Sequence, residues 1–204
     1  MKKVIICNIP MKENVDKVLY ISDDKSLPVA DRKVSYPICA FLQKILKCED
    51  ELKVILLVKK DKYGHYKKNT EVFLNELREA NAVGADINHI VIDTDFEESQ
   101  AIHEHLMGKI VDEIETGSHI LVDTTFGPKD LPVVVFAALN FAEKFLDCSV
   151  DNIIYGKASF VNGKAVDTKI CDMIPLYCLS SISNTIHCNN PDTARTMLKT
   201  LLSF

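Results

Sequence analysis

Five short apolar runs alternate with segments of helical spacing, and this alternation constrains the fold more than any other feature. The runs are residues 3–7, 52–58, 87–92, 119–122 and 152–155. Residues 36–46, 69–82, 97–115 and 131–145 lie between them and carry the 3.6-residue period. Alternating strands and helices imply an α/β, Rossmann-like fold: a mostly parallel sheet with helices on both faces. The nearly continuous apolar run 52–58 suits a central strand covered on both sides. Residues 157–161 and 165–170 flank Asn162-Gly163, a two-residue hairpin signal, so an antiparallel C-terminal hairpin should close the sheet.

Each helix has its own reading. Helix 36–46 places Ile38, Phe41, Leu42, Ile45 and Leu46 on one face. In 69–82, Val72, Phe73, Glu76 and Leu77 keep the period, and Gly84 is a stop. Helix 97–115 opens with acidic residues that suit the dipole, and Gly117 ends it. Segment 131–145 is nearly all apolar through Leu139, so burial is expected; Pro132 is tolerated in its first turn. Residues 8–33 form a long polar connection, of a length that is often functional. Segment 59–68 is basic, interleaves Tyr63, His65 and Tyr66, and reads as a solvated loop. The division expected is a domain over 1–172 and a helical tail over 173–204. In that tail Asn190 is an N-cap ahead of Pro191. The stripe Ala194, Met197, Leu198, Leu201 and Leu202 should pack on its own domain; a dimer contact or a lead into a further domain are the alternatives.

Residues 118–132 hold the densest chemistry. A strand runs into Asp123-Thr124-Thr125-Phe126-Gly127-Pro128-Lys129, and a helix follows at once. Such a loop lies at the carboxyl end of a buried strand and beside a helix N-terminus, where an anion is favoured. An ordinary strand-to-helix turn would look the same. By the same rule the loops after Cys7, Val58 and Val122 share one edge of the sheet. Neither G-x-G-x-x-G nor G-x-x-x-x-G-K-[ST] is present, which argues against a dinucleotide cofactor or a P-loop.

The net charge of −5 argues against a general nucleic-acid surface, so no long nucleic acid is expected as partner. An apolar fraction of 47% in 204 residues is enough for a sizeable core. No apolar run approaches a membrane span, and the short run after Met1 reads as a strand rather than a leader. The seven cysteines are odd in number and form no C-x-x-C, so the expectation is a reduced, cytoplasmic chain with free thiols and no metal. His187-Cys188 lacks a second ligand pair. His103 and His105 lie two apart, share no helix face, and read as surface residues.

The loop Asp123-Thr124-Thr125-Phe126-Gly127-Pro128-Lys129-Asp130-Leu131-Pro132 resembles the signature D-x-T-[H/N/G]-G-x-[R/K]-x-x-P of CRISPR-associated Rossmann-fold (CARF) domains, particularly of the Csx/Csm effector type. Asp123, Thr125, Gly127, Lys129 and Pro132 match in register, and Phe126 departs. Ile153-Ile154-Tyr155-Gly156 and the hairpin after it agree, and the resemblance extends over about residues 1–180. It implies a homodimer that binds a cyclic oligoadenylate across its axis, cyclic tetra-adenylate foremost, as a sensor in type III CRISPR antiviral signalling. By position, Thr124, Thr125, Phe126, Gly127, Pro128 and Lys129 would contact the ligand, and Asn8, Ile9 and Pro10 would form the other wall. An isologous dimer presents one lysine and one helix N-terminus twice, which suits a two-fold ring of phosphates.

Three functions stay open. The first is sensing, with an effector domain beyond residue 204 or on a partner. The second is a metal-independent ring nuclease, in which a ribose 2′-OH attacks its phosphate, Lys129 is the catalytic cation and Thr124 or Thr125 orients the phosphate. No general base is clearly placed; Asp123 reads as a cap for loop N–H groups. The third is a Rossmann-like enzyme for a small phosphorylated metabolite.

Overall fold

The computed structural model describes residues 1–94, 99–162, 164–186 and 188–202. The chain divides into two units, Met1–Asp172 and Met173–Phe204.

The first unit is a six-stranded sheet. β1 (Lys2–Ile9) lies between β4 (Glu51–Lys59) and β6 (His119–Asp123), parallel to both. β5 (Asp86–Thr94) extends the sheet beyond β4, and β7 (Ser149–Val161) extends it beyond β6, again parallel. β8 (Lys164–Asp172) returns antiparallel to β7. The order is β5-β4-β1-β6-β7-β8. Every β1 residue after Lys2 is buried, as a strand covered on both faces must be. Ile5, Cys7 and Ile9 join one cluster with Phe41 and Leu42 of α1 (Pro37–Ile45) and Phe73 and Leu77 of α2 (His65–Ala80). α3 (Gln100–Glu113) and α4 (Leu131–Phe145) complete the unit. The α/β, mostly parallel architecture and the antiparallel pair are as expected from sequence.

Several details differ. The connection after β1 is not a bare polar loop. It carries β2 (Val18–Leu19) paired with β3 (Lys33–Val34), and it buries Tyr20, Leu27 and Ala30. Ile21 pairs with Lys169, so this segment lines β8, whose outer edge would otherwise be open. The basic segment 59–68 is a solvated loop only in part, because α2 begins at His65. Asp61 explains the early start: its carboxylate accepts the N–H groups of Tyr63, His65 and Tyr66. α3 starts at Gln100 and has no acidic residue in its first turn. The expected opening at Glu97 and Glu98 lies outside the described residues, as do Gly163 of the hairpin and His187. α4 keeps its expected span, but burial follows one stripe (Leu131, Val134, Val135, Ala138, Leu139, Ala142), while Val133 is exposed.

The second unit holds α5 (Ile174–Thr185), for which the sequence carries no clear helical signal, and α6 (Pro191–Leu202). Asn190 caps α6 as expected: its Oδ1 accepts the N–H groups of Asp192 and Thr193. α6 buries none of its residues, and Met197, Leu201 and Leu202 are exposed. All seven cysteines are free; Cys7 and Cys39 are buried, and burial pushes both thiols up from their ordinary range.

Candidate functional site

A cavity of about 580 Å³ opens at the carboxyl ends of β1, β4 and β6. This is where the strand order places a ligand, since β1 feeds β4 on one side while β6 lies on the other. The volume falls in the ~300–1,000 Å³ range of small-molecule sites. Two walls face each other across it. The first is the continuation of β1, with Asn8, Ile9, Pro10 and Lys12 on the lining. The second is the loop after β6, with Thr125, Phe126, Gly127 and Pro128. Tyr155, Gly156 and Phe160 of β7 form one side, and Leu57 and Lys59 of β4 another.

The second wall is built by its own sequence. Asp123 ends β6 with its carboxylate buried. One oxygen accepts the Thr125 N–H at 2.8 Å, and the other accepts the Ile38 N–H of α1 at 3.3 Å. Burial pushes its pKa up to about 6; the Thr125 and Ile38 donors pull the other way and only partly offset it. The Thr124 hydroxyl donates to the Ile154 carbonyl at 3.0 Å, and the Thr124 N–H donates to the same oxygen. The Thr125 hydroxyl accepts the Gly156 N–H at 2.8 Å. These bonds lash the loop to β7. Gly127 turns at φ +104°, a conformation that side chains disfavour. A Cβ there would stand 3.1 Å from both Asn8 Nδ2 and Leu131 Cδ2. Asn8 closes the gap by donating from Nδ2 to the Phe126 carbonyl at 2.9 Å.

Seven of the nine expected ligand residues therefore line one cavity: Asn8, Ile9, Pro10, Thr125, Phe126, Gly127 and Pro128. Thr124 does not; its hydroxyl is spent on β7. Lys129 is exposed and also off the lining. The lysines that do line the cavity are Lys12 and Lys59, with Asp16 the one acidic residue there. Lys59 is buried at the end of β4, and Lys12 sits over the Phe160 ring, 5.6 Å from its centroid. Neither is legible in the sequence, because 59–68 reads as a solvated charge run and 8–33 carries no motif. His103 is not a plain surface residue: its Nε2 meets Asp130 Oδ2 at 2.9 Å, tying α3 to the end of the second wall. Among the described residues at this site, two buried oxygens, Asn8 Oδ1 and Asp130 Oδ1, have no hydrogen-bond partner.

Helix α1 offers no open N-terminus to an anion. Ser35 and Tyr36 donate their N–H groups to the buried Glu76 carboxylate of α2, and Ile38 donates to Asp123. The protein's own carboxylates occupy that end. α4 has no side-chain cap. Among the described residues, no group of three His, Cys, Asp or Glu could hold a metal ion, and no helix is long and apolar enough to cross a membrane.

The chain matches no known family model, and no curated protein is significantly similar to it.

Proposed function

We propose that this chain is a CARF-type sensor that binds a cyclic oligoadenylate, cyclic tetra-adenylate foremost, across a homodimer, in type III CRISPR antiviral signalling. The observation that carries the reading is the cavity between the loops after β1 and β6, because the resemblance put the ligand between those two loops and they frame one site. The charge is right as well. Lys12 and Lys59 are on the lining with Asp16 as its one acidic residue, which suits an anionic ligand in a chain of net charge −5. Apolar side chains beside them (Ile9, Tyr155 and Phe160) suit a nucleobase next to its phosphate. A cavity of this size takes part of a four-nucleotide ring, and a second copy related by a two-fold axis takes the rest. Lys129, outside the cavity of its own chain, then meets the ring where it passes the start of α4.

Binding without cleavage is the form we favour. Among the described residues the lining has no histidine, and its one carboxylate is Asp16. Asp123 has both oxygens engaged by backbone N–H groups, so it is not placed to take a proton from a ribose hydroxyl. The test is titration of the purified chain with cyclic tetra-adenylate, followed by chromatography of the nucleotide. Binding with the ring intact supports the sensor, linear products assign a ring nuclease, and no binding removes the reading.

A further inference from the structure

One face of α2 reaches the first wall of the cavity directly and the second only through Tyr36. Asn69, Phe73 and Glu76 are spaced i, i+4 and i+7, so they form a single stripe along the helix. All three are buried. The Asn69 side chain donates from Nδ2 to two carbonyls of the first wall, Pro10 at 2.8 Å and Lys12 at 2.7 Å. Its own backbone carbonyl accepts the Tyr36 hydroxyl at 2.9 Å. The Tyr36 ring meets Phe73 edge-on at 5.0 Å and Phe126 of the second wall at 5.5 Å. One turn further on, Glu76 holds the N–H groups of Ser35 and Tyr36. Lys68, next to Asn69, adds an outer tie from its ammonium group to Asn14 Oδ1 at 2.7 Å and to the Glu13 carbonyl at 3.3 Å.

We infer that Asn69 is a positioning residue of the ligand site, which fixes the 10–12 segment in the shape that receives the ligand. The inference rests on the proposed function for the ligand and on the hydrogen bonds alone for the positioning. Pro10 lacks an N–H, and the segment runs outside the sheet ladder, so its shape needs a donor from elsewhere. Asn69 supplies two. A wall held in advance binds with a smaller ordering cost than one that must be fixed by the ligand. Lys12 rides on this wall, so the same bonds set where its ammonium group stands.

The test is Asn69→Leu, which keeps the bulk and removes the donors. Amide hydrogen exchange of residues 11–14 should speed by about tenfold, the size expected for losing two hydrogen bonds, while residues 125–127 keep their rate. The dissociation constant for cyclic tetra-adenylate should rise by about tenfold as well. Unchanged exchange at 11–14, or unchanged affinity in a chain that does bind the ring, overturns the inference. Should the Leu variant not fold, the exposed Lys68→Ala tests the same wall and should speed exchange at residues 13–14 by about threefold. An unaffected 13–14 then counts against it. A wild-type chain that binds no ring while Asn69→Leu still loosens 11–14 overturns the proposed ligand and supports the positioning.

Discussion

The two walls of the cavity are held in opposite ways. The second wall is self-supporting: Asp123 grips Thr125 two residues on, and Thr124 and Thr125 bond the neighbouring strand. The first wall depends on a distant helix, since the donors to Pro10 and Lys12 come from Asn69, 59 positions away from Pro10 in sequence. A wall tied by local bonds carries its design in a short motif. A wall tied from afar is visible only once the chain has folded.

The sharpest way to break the second wall is at Gly156. A Cβ there would stand 2.6 Å from Pro37 Cγ, 3.0 Å from Tyr20 Cε1 and 3.1 Å from Thr125 Oγ1. Pro37 is a ring at the start of α1 and cannot swing aside. Gly156→Ala should therefore lower stability by about 1–3 kcal/mol, the usual overpacking range, read as a fall in Tm. Gly127→Ala combines a milder contact with a positive φ, and should cost about 1 kcal/mol while weakening ligand binding.

Asp123 sharpens the comparison through pH. An exposed aspartate titrates near ~3.9, whereas burial holds Asp123 at about 6. Between those values the folded chain binds more protons than the unfolded chain, so this group makes stability fall as pH rises from ~4 to ~6. Above that window the full cost of the buried charge is present, about 3 kcal/mol by linkage. Below it the carboxyl is neutral in both states and the cost is gone. Asp123→Asn should flatten this part of the pH profile in denaturant titrations at pH 4.5 and 7. A slope equal to that of the wild type would show that some other group titrates there.

Binding separates the cations. Lys59→Met should weaken cyclic tetra-adenylate binding by about 2 kcal/mol, because a charge-assisted bond in a buried setting is lost. Lys129→Ala removes an exposed charge and should cost about 1 kcal/mol, more at low salt than at high. Leu198→Ala on α6 should change nothing. Equal losses at Lys129 and Leu198 would put the site elsewhere.

Much of the fold was legible because local pattern and burial agree. Residues 131–145 form a helix over that whole span, and the five apolar runs all become strands of one sheet. What escaped was fixed by single side chains acting at a distance or by polar residues in apolar roles. Glu76 kept the helical period with its apolar neighbours and is buried with them, yet its work is to hold the backbone ahead of α1. Asp61 started α2 four residues early from within a charge run. Lys59 looked like the first residue of that same run and is the last residue of a buried strand. The partners of Glu76 lie 40 and 41 positions away, whereas those of Asp61 are local and nothing in a charge run marks which carboxylate caps a helix.

The most direct test is calorimetric titration of the pure chain with cyclic tetra-adenylate in the presence of a chelator, with chromatography of the nucleotide afterwards. The account predicts saturation at one ring per two chains, with the ring recovered intact. Absence of binding by both cyclic tetra-adenylate and cyclic hexa-adenylate, or saturation by one small phosphorylated metabolite per chain, would contradict it.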